Sequence, residues 1–352
     1  MGTGSNSNLK KLSGSSGKLE KDSNNRIGFV DFIRGVAILS IVWGHVVGGD
    51  KGIEIWNHYN NFFKIVIFYF LPGWFLYEKE LPELKMFFGK KLKAFGVPYI
   101  CFSIIIISID VCLVAMNRSS IMQVLQDGYR TICLAGIGTL WFLPTLFGAE
   151  MIAAYAIKKK KLKCITIIGG AFSVIGVAIL NGIRSDTLLF DVITAPVIVV
   201  LKSIIGYLFI VFGMFMHSLI IKQKWNVYLI AVIVIFSVLV CNLVKISDYN
   251  HLMIDNIATW LIASVLACIS IVLICRNFLY QILEKSVKPI KWVIEFFGKN
   301  SLVILCTHYS VVMPYIKGDN SYLNFILVLI IEVILCIILN TKQLCWIIGK
   351  RR

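Results

Sequence analysis

The stretch VDFIRGVAILSIVWGH, residues 30–45, is apolar enough to form a membrane helix, yet it carries Asp31, Arg34 and His45. On a helix of about 100° per residue, the eleven-residue step from Arg34 to His45 leaves the two side chains only about 20° apart in direction. Along the helix axis they are about 16 Å apart. Asp31 lies three residues before Arg34 and can pair with it. One face of this helix is therefore predicted to present a carboxylate, a guanidinium and an imidazole.

The composition of the whole chain indicates a membrane protein. Of its 352 residues, 58% are hydrophobic and 15% are charged, with a mean hydropathy of +0.82. Soluble domains are typically about half apolar and a quarter charged. Apolar runs of about 18 residues or more, long enough to cross a bilayer as a helix, recur along the chain. These runs are continuous rather than alternating, which favours an all-α polytopic membrane protein over a β-barrel.

The topology follows from the positive charges. Ten transmembrane helices are predicted, at roughly 27–48, 61–78, 95–116, 134–157, 164–181, 193–221, 225–244, 255–275, 299–316 and 322–348. Every second connection, together with the two ends of the chain, holds 26 Lys and Arg residues, whereas the other connections hold 6. The positive-inside rule then places the N- and C-termini in the cytoplasm. Residues 1–25 are polar and predicted to be a disordered cytoplasmic tail, and residues 26–352 form the membrane-embedded domain.

Several classes of protein are disfavoured. The net charge of +16 does not indicate nucleic-acid binding, because the cations are clustered between apolar runs, as the positive-inside rule expects. The ten cysteines lie mostly inside apolar runs and form no C-x-x-C pair, so neither a disulfide framework nor a zinc site is predicted. No metal is therefore expected, and the sequence leaves the oligomeric state open.

Ionisable residues inside the predicted spans are the candidates for function. An Arg at the centre of a membrane helix costs about 2.5–3.5 kcal/mol on insertion scales, so such residues usually face a protein interior and have a role. An imidazole exchanges protons near neutral pH and suits general-base catalysis. Glu332, central in the last span, is a candidate on the same grounds. A simpler alternative is that Asp31 and Arg34 neutralise each other near the headgroups. Glu150, Lys202 and Asp110 lie nearer span ends and are predicted to snorkel.

With these residues in place, the chain resembles the acyltransferase-3 family of integral-membrane acyltransferases. That family opens with Asp, then Arg-Gly and an Arg-x10-His signature, which Asp31, Arg34 and His45 match. Further matching segments follow in the family's order: KKLKAFGVPY (90–99), GTLWFLPTLF (138–147), IGYLFIVFGMFM (205–216) and FGKNSLVILCTHYS (297–310). The resemblance therefore covers nearly the whole chain.

The chain also departs from the family pattern. Lys90 and Lys93 stand where the family often has Arg-x-x-Arg, and a lysine cannot form the bidentate fork that an arginine offers to phosphate. In FYFLPGWFLY (68–77), Pro72 stands where serine is usual and is expected to kink the helix.

The resemblance implies transfer of an acyl group, usually acetyl, from cytoplasmic acyl-CoA to a hydroxyl of an extracytoplasmic or lipid-linked carbohydrate. The candidate catalytic residues are His45, Arg34 and His308. Their supporting residues are Asp31, Trp141 and Glu332, and the candidate acyl-CoA-binding residues are Lys90, Lys91 and Lys93. His45 can act as a general base or as a covalent acyl carrier, and the sequence does not decide between them. A bacterial plasma membrane is the expected location.

Two other classes of protein would also have charged residues inside membrane helices. A transporter, flippase or polymerase of a cell-surface glycan precursor could use them as a substrate path. A non-catalytic membrane scaffold or sensor could retain them without using them. The transporter class does not predict the Arg34–His45 spacing together with the Trp141 and His308 segments. Loss of acyl transfer on substituting His45 would count against both classes.

Overall fold

The structure, a computed structural model, describes residues 28–48, 54–78, 80–316 and 318–350, so the predicted tail at 1–25 lies outside it. The helices are α1 (Gly28–Val46), α2 (Glu54–Phe63), α3 (Val66–Glu78), α4 (Leu84–Ala115), α5 (Ile121–Ile132), α6 (Gly138–Lys158), α7 (Leu162–Gly182), α8 (Leu188–Lys222), α9 (Val227–Cys241), α10 (Ile257–Ser286), α11 (Lys288–Lys299), α12 (Ser301–Tyr315) and α13 (Ser321–Leu339). Between α9 and α10, β1 (Ser247–Asp248) and β2 (Met253–Ile254) form a short antiparallel hairpin.

The all-α polytopic prediction is confirmed. Within the described residues, seven helices are long and apolar enough to cross a membrane, namely α1, α4, α6, α7, α8, α10 and α13. Two shorter apolar helices, α9 and α12, coincide with two further predicted spans. The second predicted span, 61–78, is divided between the end of α2 and all of α3, which continues through Pro72. The number of membrane crossings and the side on which the termini lie stay predictions.

Polar side chains in the connecting segments cap the N-termini of several helices. An N-cap side chain accepts a hydrogen bond from a backbone N–H in the first helical turn that has no partner within the helix. Among the described residues, five do this, at the starts of α5, α8, α9, α10 and α13: Ser120, Thr187, Asn226, Asn256 and Asn320. These caps fix where the apolar runs become helical.

The interior of the bundle is built on close contact between α3 and α8. A Cβ atom on Gly213 of α8 would collide with the carbonyl group of Phe70, and one on Gly73 of α3 would collide with the carbonyl of Ile210. Small residues at such crossings let two membrane helices approach backbone to backbone. Large buried side chains, among them Tyr69, Phe70, Trp74, Tyr207 and Phe209, surround this contact.

Helix α1 is held inside the bundle by a similar contact. A Cβ on Gly298, at the end of α11, would overlap the Asp31 carbonyl, and one on Gly35 would overlap the carbonyl of Ile294. Asp31 itself is buried, at 8% exposure. The polar residues of α1 therefore face protein rather than lipid along much of the helix.

Candidate active site

A cavity of about 1020 Å³ opens among α1, α4, α5, α6, α8, α12 and the loop that follows β1. His45 of α1, Trp141 of α6, Lys202 of α8 and Tyr309 of α12 all contribute to its wall. Its size is at the upper end of the range of about 300–1,000 Å³ for pockets that hold drug-sized ligands. Arg34 is not among the residues that line it.

The two candidate histidines meet at this cavity. The ring centres of His45 and His308 are 5.4 Å apart, and the ring of Tyr309 is 4.8 Å from that of His45. His45 is exposed and lines the cavity, whereas His308 is fully buried behind it. Gly138 lets α6 approach α12 closely at this point, because a Cβ atom there would strike the Ser310 side chain. Its φ of +54° also favours glycine.

The tautomer of His308 follows from its hydrogen bond. Its Nδ1 is 2.6 Å from the Ile304 carbonyl oxygen, which can only accept, so Nδ1 donates the hydrogen. In the neutral ring Nε2 then carries a lone pair. Nε2 is buried and has no hydrogen-bond partner within the part of the chain that the structure describes. His308 also begins a π-helical turn, His308–Val312, of the kind frequently found at functional sites.

Glu332 is joined to the His308 segment through Thr307. The Thr307 hydroxyl is hydrogen-bonded to the Glu332 side chain, with distances of 2.9 Å to Oε1 and 2.7 Å to Oε2. The same hydroxyl is 2.8 Å from the Val303 carbonyl oxygen. The sequence suggested no partner for Glu332, because Thr307 lies on a different helix and is not ionisable. Glu332 is thus placed behind the histidine pair rather than in the cavity wall.

Arg34 occupies a second polar region, nearer the start of α1. Its guanidinium carbon is 6.0 Å from the centre of the Phe75 ring, and it interacts electrostatically with Asp31 and Glu150. Glu150 of α6 is 2% exposed and forms an ion pair with Lys91. The prediction that Glu150 snorkels from a span end was wrong, because this carboxylate lies inside the bundle between two cations. We call Arg34, Glu150 and Lys91 the Arg34 cluster.

The three lysines predicted to bind acyl-CoA have different surroundings. Lys91 points into the Arg34 cluster, with its ammonium nitrogen 5.4 Å from the ring centres of Phe87 and Phe95. Lys90 and Lys93 are exposed on the same helix, α4. Lys90 and Lys93 are thus more open to a ligand from outside the bundle than Lys91, whose side chain is 29% exposed.

Lys202 is a cavity residue that the sequence prediction assigned to a snorkelling role, which was wrong. It is 3% exposed, and its ammonium nitrogen is 3.8 Å from the ring centre of Trp141 and 3.2 Å from Asn250 Oδ1. Tyr249, from the same loop as Asn250, donates a hydrogen bond of 3.0 Å to the Lys202 carbonyl. Trp141, a predicted supporting residue, is 5% exposed and presents the face of its ring to this lysine.

The end of β1 and the loop that follows it carry a carboxylate and an imidazole close to Asn250. Asp248 and His251 pair at 2.9 Å. Burial alone would raise the pKa of Asp248, but the hydrogen bonds and the charge of His251 outweigh it and hold that pKa below its usual value. Asp248 is therefore held as a carboxylate by His251. His251, which the sequence prediction left without a role, also lines the cavity.

Helix α5 supplies a polar wall that the sequence prediction also missed. Gln123, Gln126, Asp127 and Arg130 recur at helical spacing, and all four line the cavity. Gln123 donates a hydrogen bond of 2.8 Å to Asp127 Oδ2. The apolar side chains of Ile121, Leu125 and Ile132 are largely exposed. The alternation of polar and apolar residues at helical spacing between the third and fourth predicted spans was the available signal.

This arrangement suits base-catalysed reaction of a polar molecule. An imidazole at the cavity wall can take a proton from a hydroxyl group. Amide, carboxylate and guanidinium side chains around it can hold further hydroxyls by hydrogen bonds. Within the described ranges, no group of three His, Cys, Asp or Glu residues is placed to hold a metal ion.

Comparison with known proteins bears on what this site does. No curated protein and no solved structure matches the chain. The family described as Acyltransferase domain, which is the acyltransferase-3 family, matches residues 27–341. That range includes α1 with its Arg34–His45 pair, the cavity and the His308 segment. Because the match covers almost the whole chain and the helices are those of a multi-pass membrane protein, the protein belongs to the acyltransferase-3 family and is a membrane acyltransferase.

Proposed function

We propose that the protein is an O-acyltransferase that moves an acyl group, most simply acetyl, from acyl-CoA to a hydroxyl of a carbohydrate. The observation that carries this proposal is the meeting of His45 and His308 at a large cavity lined by polar side chains. An imidazole pair beside a site rich in hydrogen-bonding groups fits an acceptor that presents hydroxyls.

In the reaction, the His45 imidazole accepts the proton of the acceptor hydroxyl while the hydroxyl oxygen bonds to the thioester carbonyl carbon. The carbon–sulfur bond then breaks, and the CoA sulfur leaves with the proton that His45 returns. The products are an O-acyl ester and free CoA thiol. In the alternative mechanism, His45 itself takes the acyl group and CoA leaves first. The acceptor hydroxyl then reacts with this covalent acyl-histidine.

His308 supports this step from behind. The Nδ1 hydrogen bond to Ile304 leaves the lone pair on Nε2, which can accept a hydrogen bond from the protonated His45 ring. The link from Thr307 to Glu332 holds the segment that carries it. His308 and Glu332 therefore set the position of the reacting groups.

The acyl donor is proposed to approach from the Arg34 cluster. Acyl-CoA carries phosphates, and the exposed Lys90 and Lys93 supply positive charge at that side of α4. Arg34 and His45 share one face of α1 and are separated along the helix axis. A pantetheine arm that follows this face would therefore pass from the lysines toward the cavity. Lys91, which is paired with Glu150, holds Arg34 and α4 together rather than binding the donor.

The acceptor is proposed to be a cell-envelope carbohydrate, either a polysaccharide or a lipid-linked sugar. The cavity proposed to bind the acceptor lies at the His45 end of α1. By the positive-inside rule, this end is expected on the extracytoplasmic side of a bacterial plasma membrane. Surrounding membrane lipids are the other expected partner.

The test is transfer of label by the purified full-length protein. Incubation with radiolabelled acetyl-CoA and extracted cell-surface glycan should release CoA and label the glycan, whereas His45→Ala should do neither. Folded wild-type protein that releases no CoA with any acyl donor would count against the acyltransferase mechanism. It would favour a transporter that uses the Asp31, Arg34 and His45 face as a path.

A further inference from the structure

Lys202 places a positive charge deep in the cavity wall without a matching carboxylate. The residue is 3% exposed, so its ammonium group is largely removed from water. Its ammonium nitrogen lies 3.8 Å from the centre of the Trp141 ring and 3.2 Å from the neutral Asn250 Oδ1. Within the described part of the chain, no carboxylate oxygen lies within 4.0 Å of this nitrogen.

The carboxylates around the cavity are paired with other groups or form no ion pair with Lys202. Asp248 acts on Lys202 only from a greater distance, and its carboxylate is paired with His251 at 2.9 Å. Asp127 accepts a hydrogen bond from Gln123 on α5. Asp110 and Asp191 also line the cavity but form no ion pair with Lys202. A buried charge without a counterion is costly, and in membrane helices such charges mark substrate paths.

We propose that Lys202 binds an anionic group of the acceptor, a carboxylate or a phosphate carried by the sugar that enters the cavity. This inference rests on the proposed function, because it names the class of acceptor that the same cavity takes. The ammonium group binds the anion. Its hydrogen bond to Asn250 and its contact with the face of the Trp141 ring fix its position. Neutral hydroxyls of the same sugar would meet the amide and carboxylate side chains of α5.

Lys202 is then a specificity residue rather than a group that takes part in the chemistry. The structure separates its surroundings, which are Trp141 and the loop that follows β1, from those of His45, which are His308 and Tyr309. Loss of the charge should therefore weaken the binding of anionic sugars and leave the binding of neutral sugars unchanged.

The experiment measures binding without requiring acyl transfer. The thermal unfolding midpoint of the full-length protein in detergent is recorded at constant ionic strength with D-glucose, D-glucuronate and glucose 1-phosphate, because a ligand that binds the folded state raises this midpoint. The three sugars share a ring and differ in their anionic group. Glucuronate and glucose 1-phosphate separate a carboxylate acceptor from a phosphate acceptor.

We expect at least one anionic sugar to bind the wild type at least tenfold more tightly than glucose. Lys202→Met should remove this preference, and Lys202→Arg, which keeps the charge, should retain part of it. Lys245→Met is the matched control, because it removes the same charge from an exposed position outside the cavity lining and should keep the preference.

Two outcomes would overturn the inference: equal shifts by glucose and both anionic sugars in the wild type, or a full preference in Lys202→Met. The first outcome needs no variant, so poor folding of Lys202→Met does not leave the question open. Either outcome leaves the labelled-acetyl experiment untouched. Conversely, a failure of acyl transfer with the sugar preference intact would overturn the proposed reaction and keep the anion site.

Discussion

The rings of His45 and His308 lie 5.4 Å apart, although one residue is next to the end of α1 and the other is in the middle of α12. Arg34, which shares a helix face with His45, belongs instead to a second cluster with Glu150 and Lys91. The bundle thus divides the predicted site into two regions. The region with the two histidines adjoins the cavity, and the region with Arg34 adjoins the exposed lysines of α4.

The first prediction concerns the two histidines. His45→Ala should lower kcat by about 10²–10⁴-fold, the usual contribution of a general base. His308→Ala should also lower kcat, and the double variant should be little worse than His45→Ala, because residues that act as a unit are not additive. Release of CoA from acetyl-CoA in the presence of acceptor glycan measures both effects.

His58→Gln is the control for these variants. The His58 imidazole interacts with the Cys241 carbonyl oxygen at 3.1 Å and does not line the cavity, so its loss should leave kcat near that of the wild type. Independent, fully additive losses for His45→Ala and His308→Ala would contradict a cooperating pair.

The second prediction concerns the protonation of Glu332. The Thr307 hydroxyl has one hydrogen but lies within 2.9 Å of the Val303 carbonyl oxygen and both Glu332 oxygens. A carboxylic acid, which can donate to the hydroxyl oxygen, satisfies these contacts better than a carboxylate. Glu332→Gln, whose amide also donates, should therefore retain most activity.

Glu332→Ala is the contrasting variant. It removes a buried hydrogen bond worth about 1 kcal/mol and leaves an empty space beside Thr307, so both the unfolding midpoint and kcat should fall. An inactive but normally stable Glu332→Gln would show instead that the reaction needs an ionised carboxylate at this position.

The third prediction separates the lysines of α4. Glu150→Gln should lower the free energy of unfolding by about 1.5–3 kcal/mol, the range for a hydrogen bond to a charged group, because it leaves the partly exposed Arg34 and Lys91 without their shared carboxylate. The combined Lys90→Ala and Lys93→Ala variant should keep the unfolding midpoint and raise KM for acyl-CoA, since both side chains are exposed. Thermal unfolding and donor titration measure the two effects. An unchanged donor KM in the double variant would remove these lysines from the donor site.

The fourth prediction tests the contact between α3 and α8. Gly213→Ala should sharply lower the unfolding midpoint, because the added methyl group would overlap the Phe70 carbonyl and force the two helices apart. Gly170→Ala in α7 is the matched control, since no atom lies within 4 Å of a Cβ placed there. That substitution should be neutral or slightly stabilising, because alanine favours helix more than glycine does. Equal midpoints for the two variants would contradict the close crossing.

The sequence by itself determined the class of fold and the main candidates for the site. Apolar runs must become helices in a bilayer, where every backbone group has to find its partner inside its own segment. Most predicted spans accordingly coincide with an apolar helix or helix pair, but the last span, predicted to reach residue 348, is helical only to Leu339. The periodicity of α1 placed Arg34 and His45 on one face, because that relationship is local and depends only on helical geometry.

Only the tertiary structure decided which of these residues meet. His45 meets His308 where α1 contacts α12, and Thr307 meets Glu332 where α12 contacts α13. Lys202 reaches Trp141 through the packing of α8 on α6. Snorkelling was a reasonable expectation for Glu150 and Lys202 from their place near span ends, yet both are buried. The physical reason is that periodicity fixes the direction of a side chain on its own helix, whereas the identity of its partner depends on which helix packs against that face.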